Sequence, residues 1–340
     1  MAEENEDTVP LRGYKYAWSP FMAVDINIKD FLDKFRPSMV ENDGTKPWIW
    51  VDSGRRDDED ALAQTAKVTA LEEAKKTLEE ITTQIEAIKN DPAIPTRSNK
   101  KTGAKSKKEL REELQASARE KFKVIAEKYQ YFCGKWLIFA SSEKVDMIWK
   151  NLANSLIEGP LANTKAFCVK VSTFSSEPNY RHVICLYLPN VYDKNEVTKV
   201  MKILIGDYGV NLTGVKSDMY TLIGVNSKHP SGIPSTIWRN TDLMSEKEMQ
   251  ELKAGHTKAD ARTKDSDNTG ASTSVPNRLA SKKKKQDVFA SDDEDDEGEQ
   301  RRKDALAKKK QAVALTKTAT KRTNVSDDES EDKDAKRQKR

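Results

Sequence analysis

The chain has 340 residues, a formal net charge of +4 and 34% charged residues, and both halves of that charge bear on what it can be. The charge divides almost evenly about residue 240, so the molecule is not a polycation that coats nucleic acid by charge alone, and any positive surface is local. No apolar run approaches the roughly 18 residues a membrane span needs, and the acidic start Met1-Ala-Glu-Glu-Asn-Glu-Asp is followed by no hydrophobic export segment, so the expectation is a protein without a membrane partner.

Residues 1–13 are expected to be disordered, and a single α+β domain is expected over 14–242. Residues 14–51 alternate aromatic and polar positions and end at Lys46-Pro-Trp-Ile-Trp-Val, where Trp48 and Trp50 fall on one face of a strand. Asp30 to Phe35 reads as a short helix with Ile28, Phe31, Leu32 and Phe35 inward, stopped by Pro37. Then the period changes. Leu71, Ala74, Leu78, Ile81, Ile85 and Ile88 alternate spacings of three and four, which lays them along one helical stripe, and Asp91-Pro92 ends it. A second helix from about Lys108 to Tyr129 carries Leu110, Leu114, Ala118, Phe122 and Ile125. The two make a helical-hairpin insertion over 56–130, joined by a basic loop at 91–108. Such a hairpin either buries its own seam or offers a coiled-coil site to a helical protein partner at 60–130.

Four short apolar runs follow: Lys135-Trp-Leu-Ile-Phe-Ala, Ala166-Phe-Cys-Val-Lys-Val, His182-Val-Ile-Cys-Leu-Tyr-Leu and Met219-Tyr-Thr-Leu-Ile-Gly-Val. Ser141 to Ile157 reads as a helix with Ser142 as candidate cap, an inner face of Val145, Ile148, Trp149, Leu152 and Leu156, and a stop at Gly159-Pro160. Asp193 to Ile205 is the next helix, with Val197, Val200, Met201 and Leu204 inward and Asp193 or Asn195 capping. In the run from His182 both alternating sets are apolar, which marks a central strand covered on both faces. Ala166 to Ser172 alternates instead, with Phe167, Val169 and Val171 on one side and Ala166, Cys168, Lys170 and Ser172 on the other. One face of the sheet is therefore partly open, with both helices packed on the other.

Cys133, Cys168 and Cys185 sit inside apolar stretches, with neither the number nor the spacing for a disulfide framework or a zinc site, and are read as reduced core residues. No phosphate-cradling glycine loop or metal-spaced cluster is present, and His182 and Cys185 lie three strand positions apart, on opposite faces. The expectation is therefore no enzymatic activity, no metal and no cofactor.

The set Gly134-Lys-Trp-Leu-Ile-Phe, Val145-Asp146 with Trp149, Ile157-Glu-Gly-Pro-Leu, Arg181-His-Val-Ile-Cys-Leu-Tyr, Lys216-Ser-Asp-Met-Tyr-Thr and Pro234-Ser-Thr-Ile-Trp-Arg resembles the family of basophilic-leukaemia-expressed proteins over about residues 130–242. The upstream Pro47-Trp-Ile-Trp-Val resembles that family's amino-terminal strand. The resemblance implies a fold like that of translation initiation factor 4E, the messenger-RNA cap-binding protein: a curved, mostly antiparallel sheet with helices on its convex back and a ligand on its concave side. It does not extend to the hairpin or to the charged tail. The cap-binder's stacking tryptophans and guanine-reading glutamate align with no residues of this chain.

Nucleotide binders combine cations for phosphate with aromatic faces for stacking. The candidates in or beside strands are Lys135, Lys170, Arg181, His182, Lys216 and Arg239, with Trp136, Tyr180, Tyr220 and Trp238 adjacent to them in sequence. The competing reading makes the aromatics core and pairs the cations with Asp146, Glu158 and Asp218. Lys170 is the most informative, since a lysine in mid-strand projects to the face opposite Val169 and Val171.

The last hundred residues hold one aromatic, Phe289, among 24 Lys/Arg and 22 Asp/Glu, and such a composition cannot bury enough apolar surface to offset the entropy of ordering. Residues 243–340 are expected to be a disordered tail. Its basic clusters are Lys282, Lys283, Lys284 and Lys285, then Arg301, Arg302 and Lys303 with Lys308, Lys309 and Lys310, the last two clusters in bipartite spacing for a nuclear import receptor. Ser291 and Ser326 each precede acids in the pattern of an acidophilic kinase site. The functional expectation is a non-enzymatic protein of nucleus and cytoplasm that associates with RNA or a nucleotide; the alternative is a protein-interaction scaffold using the hairpin.

Overall fold

The computed structural model describes residues 13–22, 26–55, 61–99, 101–178 and 180–266, and all of these fall in the unit Met1–Ser272. The expectations for residues 1–12 and for the tail beyond 266, including its import clusters and phosphorylation sites, lie outside the described residues. In chain order the elements are β1 (Ala17–Trp18), α1 (Ile28–Lys34), β2 (Trp48–Asp52), α2 (Ala61–Asn90), α3 (Lys107–Lys128), β3 (Gly134–Ala140), α4 (Ser142–Glu158) and a short 3-10 turn at Pro160–Asn163. Then come β4 (Cys168–Ser172), β5 (His182–Leu188), α5 (Lys194–Gly206), β6 (Leu212–Ser217), α6 (Asp218–Leu222), α7 (Asn240–Leu243) and α8 (Glu246–Ser266). The architecture is α+β: one six-stranded open sheet in the order β1-β2-β4-β5-β3-β6, antiparallel at every pairing except the parallel β1–β2.

The registers sort side chains into two faces, because directly opposed residues point the same way. Val51, Val169, Leu186, Trp136 and Val215 form one row across β2, β4, β5, β3 and β6, all buried in the main core against the helices. β5 is central as its two apolar sets require, and only Val183 in it is not fully buried. Gly134 lets β3 enter between its neighbours: a Cβ there would lie 2.5 Å from the Lys216 carbonyl oxygen and 2.8 Å from Val191.

Local sequence signals fix the helix ends. Asn27 caps α1, its side chain accepting from the Asp30 N–H, and Ile28, Phe31 and Leu32 are buried. Asp193 caps α5 by accepting from the Asn195 and Glu196 N–H groups, as one of the two sequence candidates. On α4 the cap position belongs to Ser141 rather than Ser142, with Val145, Trp149, Leu152 and Leu156 buried.

The hairpin of α2 and α3 buries its seam in the main core: Ala74, Leu78, Ile81 and Ile85 from one helix, Ala118, Phe122 and Ile125 from the other. Phe122 meets the ring of Tyr220 edge-on at 5.3 Å, which ties the hairpin to α6. Leu71 and Ile88 at the ends of the stripe are only half-buried.

Two expectations are corrected. The apolar run beginning at Met219 is helical, not extended: Ser217 accepts from the Met219 N–H and starts α6, and the edge strand is the preceding, less apolar Leu212–Ser217. The folded part also continues past residue 242. Ser245 and Glu248 cap one another (Ser245 N to Glu248 Oε2 3.0 Å, Glu248 N to Ser245 Oγ 3.3 Å), starting α8, whose Met249 is buried and whose Leu252 packs against the core. Composition averaged over a hundred residues concealed that capping box.

Candidate functional site

The face of the sheet turned away from the main core carries three rows. Asp52, Cys168, Tyr187, Lys135 and Lys216 form one; Trp50, Lys170, Cys185, Leu137 and Gly214 form the next; Trp48 stands opposite Ser172 in the third. Six of its buried residues, Ala17, Trp50, Phe167, Cys168, Cys185 and Tyr187, form a second apolar cluster separate from the main core. Phe167 precedes β4 and joins this cluster, whereas strand alternation had placed it with Val169 and Val171.

Lys170 projects onto this face, as its mid-strand position requires. Its ammonium lies 4.1 Å from the Trp48 ring centroid, 4.6 Å from that of Trp50 and 5.8 Å from that of Tyr187, and the residue is 1% exposed. Cation–π attraction at a desolvated site is worth about 2 kcal/mol, which offsets part of the cost of burying the charge. Lys135 is 3% exposed, its ammonium 3.3 Å from Asp218 Oδ1 and 5.1 Å from the Tyr187 ring centroid, so the pairing with Asp218 that the sequence offered is realised. Lys216 is half-buried beside Lys135. Trp50 and Tyr187 stack at 6.1 Å with an interplanar angle of 21°, and the Tyr14 hydroxyl donates to the Trp48 carbonyl at 2.7 Å.

The remaining seven sequence candidates are elsewhere. Trp136 is fully buried in the main core, and Tyr220 is packed on Phe122, where burial pushes its hydroxyl pKa far up. His182 starts β5 opposite Ala140 on the covered face. Its Nδ1 is 2.8 Å from the Ser172 carbonyl, which requires an Nδ1–H donor, and its Nε2 is 3.2 Å from Ser142 Oγ. Tyr180 packs edge-on to His182 at 5.0 Å, its hydroxyl 2.8 Å from the Thr173 carbonyl. Arg181 is exposed at the strand end. Trp238 lies along the β6 edge, its indole N–H donating to the Val191 carbonyl at 2.8 Å, and Arg239 pairs with Asp242 at 3.4 Å. Three of the ten, Lys135, Lys170 and Lys216, thus share one face.

The aromatic partners that sequence adjacency missed are Trp48, Trp50 and Tyr187. They reach the lysines across strands, through the Trp50–Lys170 and Tyr187–Lys135 pairs. Among the described residues no group of His, Cys, Asp and Glu could hold a metal ion, and no helix is long and apolar enough to cross a membrane. Cys168 and Cys185 form no disulfide and are buried on the face opposite His182, which separates the thiols from the imidazole. The groups gathered on this face are the Lys135, Lys170 and Lys216 ammonium groups and the electron-rich rings of Trp48, Trp50 and Tyr187.

A family model described as basophilic leukemia-expressed protein Bles03 matches residues 2–221. The chain belongs to that family. The Bles03 match covers β1 through most of α6, and therefore every residue of the lysine and tryptophan face. It also runs across the positions of the hairpin, which the motif comparison had set outside the resemblance, and it stops before Pro234–Arg239.

Proposed function

We propose that the chain is a non-enzymatic binding protein that associates with RNA or a nucleotide through the sheet face turned away from the main core, where Trp48 and Lys216 are half-buried and Trp50, Lys135, Lys170 and Tyr187 are buried. The observation that carries this reading is the gathering of Lys135, Lys170 and Lys216 with Trp48, Trp50 and Tyr187 on that face. An open sheet with helices on one side accords with the cap-binding initiation factor 4E layout that the family resemblance implies, and we infer that layout here. In this reading an incoming base displaces the buried Lys170 ammonium from the two indole rings it lies over, and the displaced ammonium meets the ligand's phosphate. A methylated, positively charged base gains most, because the rings attract cations. The tail beyond the described residues would supply an import signal and diffuse phosphate contacts.

The test is a titration of the full chain with guanosine triphosphate and its 7-methyl form, followed by tryptophan fluorescence. The expected result is saturable quenching whose affinity weakens about 5- to 150-fold in Trp48→Ala, given about 1–3 kcal/mol per stacked base. Quenching by neither nucleotide overturns the reading.

A scaffold function is favoured by a separate observation: near the free end of the hairpin, Ile88, Leu110 and Leu114 line an open groove with Gln84, Ala87 and Glu113. A protein partner whose co-purification needs residues 60–130, with no RNA crosslinked to the chain, decides for that function.

A further inference from the structure

Among the described residues, positive charge gathers at a place that the sheet face does not use. Residues 89–113 hold eight Lys/Arg against four Asp/Glu, a net +4, which equals the formal charge of all 340 residues. The described ones among them form the turn between α2 and α3 and the first turns of α3, the outer end of the helical hairpin.

This turn is built. The Asn99 N–H donates to the Ala104 carbonyl at 2.9 Å, and Asn99 Oδ1 accepts from the Lys101 N–H at 3.0 Å. Gly103, at φ +71, lets the backbone close. Ser106 and Glu109 form a reciprocal capping box, the Lys107 N–H donates to the Pro95 carbonyl at 3.0 Å, and the Lys107 ammonium donates to the Lys89 carbonyl at 2.7 Å. Lys107 thus braces the two helices, while Arg97, Lys101, Lys105 and Lys108 remain exposed. Lys105 pairs with Glu113 and Lys108 with Glu112, both at exposed positions where such pairs are worth little and exchange readily.

The chemistry selects the partner. No aromatic residue lies between Lys89 and Lys121, so nothing here stacks on a base. A protein interface draws its energy from a buried apolar or aromatic centre; the groove of Ile88, Leu110 and Leu114 supplies a small apolar surface to the helix bodies, whereas the exposed Arg97, Lys101, Lys105 and Lys108 of the turn offer cations instead. Phosphodiester chains, by contrast, are held by cations alone through counterion release. We propose that the end of the helical hairpin is a phosphate-backbone contact that holds RNA by charge, independently of base sequence. The proposal rests on the reading of the chain as RNA-associated and adds a second contact to it, distinct from the sheet face.

The experiment measures the affinity of the full chain for a labelled single-stranded RNA as a function of salt. The triple variant Arg97→Gln, Lys101→Gln, Lys108→Gln is compared with a control that removes equal charge from the helix bodies, Lys75→Gln, Lys76→Gln, Lys123→Gln. At about 0.7 per neutralised phosphate on a single strand, the hairpin-end variant should flatten the log affinity against log salt slope by about 2, and the control should leave it unchanged. Circular dichroism confirms that both variants fold. A DNA strand of the same sequence gives the source: RNA bound more tightly than DNA assigns the contact to RNA, and the reverse order overturns that assignment.

An unchanged slope in the hairpin-end variant, an equal loss in the control, or polyglutamate displacing RNA on a per-charge basis overturns the proposal. Failure of the sheet-face reading is a different result. It shows as absent tryptophan quenching by nucleotides, while salt-dependent RNA binding that needs Arg97, Lys101 and Lys108 leaves this contact standing.

Discussion

His182 was a candidate for phosphate or base contact because it follows Arg181 at the start of an apolar strand, and strand parity decided otherwise. Opposite Ala140 its ring enters the covered face, where burial lowers its pKa against the opposing influence of the Ser172 carbonyl and of Asp146. The folded chain therefore holds a neutral imidazole, while the unfolded chain takes up a proton near pH 6.5. Above that pH the ring is neutral in both states and its contribution to stability is complete. As pH falls below about 6.5 the unfolded state binds the additional proton, and stability declines toward the lower, folded pKa. The thermal midpoint of the protein should drop between about pH 7 and pH 5 more steeply than that of His182→Gln. Parallel curves for the two would mean that the ring does not contribute to this dependence.

Lys170 makes the complementary point at the same scale. Its alternation with Val169 and Val171 was enough to place it on the face opposite theirs, and Trp48 and Trp50 were legible as a same-face pair; that this face buries Lys170 to 1% exposure was not. That the three meet was not legible, because it depends on the β2–β4 register, a contact between residues 120 and 122 positions apart, and local spacing carries no information about such a pairing. Candidates chosen for adjacency in sequence, such as Trp136 beside Lys135, necessarily fell on opposite faces of their strand.

At the scale of elements, legibility followed length and periodicity. The stripes of α2 and α3, the inner faces of α4 and α5, and the central position of β5 could each be read, since every one repeats its signal over several turns or several residues. Short elements were lost. The run at Met219 has the composition of a strand, yet the Ser217 cap turns it into one and a half turns of helix, and Gly214 and Thr213 in β6 hid a real edge strand. The hairpin departs from an independent coiled coil for a physical reason: Phe122 is spent on Tyr220 rather than on a partner helix. Phe122→Ala should cost about 3–5 kcal/mol in urea unfolding with an unchanged slope, whereas Val124→Ala, at a site 59% exposed on the same helix, should cost less than about 0.5 kcal/mol. Equal effects would place the hairpin's outer and inner faces in the same environment and contradict its docking.

For the molecule as a whole, the controlling quantity is how little net charge it carries relative to its charged content. With 59 Lys/Arg and 55 Asp/Glu, the formal +4 can be cancelled by small covalent changes. Phosphates at Ser291 and Ser326 would each add about −1.5 to −2, bringing the chain to roughly neutral or slightly positive. Because the screening length is about 10 Å at 0.1 M salt, charge in the tail acts on the phosphodiester partner mainly at low ionic strength. The proposed RNA association should accordingly weaken after phosphorylation by an acidophilic kinase, most at low salt and hardly at all near 1 M. Nucleotide quenching of Trp48 and Trp50, which depends on short-range stacking, should stay as it was. The check is a pair of titrations on phosphorylated and unphosphorylated full-length protein, with Ser291→Ala and Ser326→Ala together as the control that the kinase cannot modify. Equal weakening of RNA and nucleotide binding would mean that the two ligands share one site. RNA binding untouched at every salt concentration would mean that the tail's charge takes no part in it.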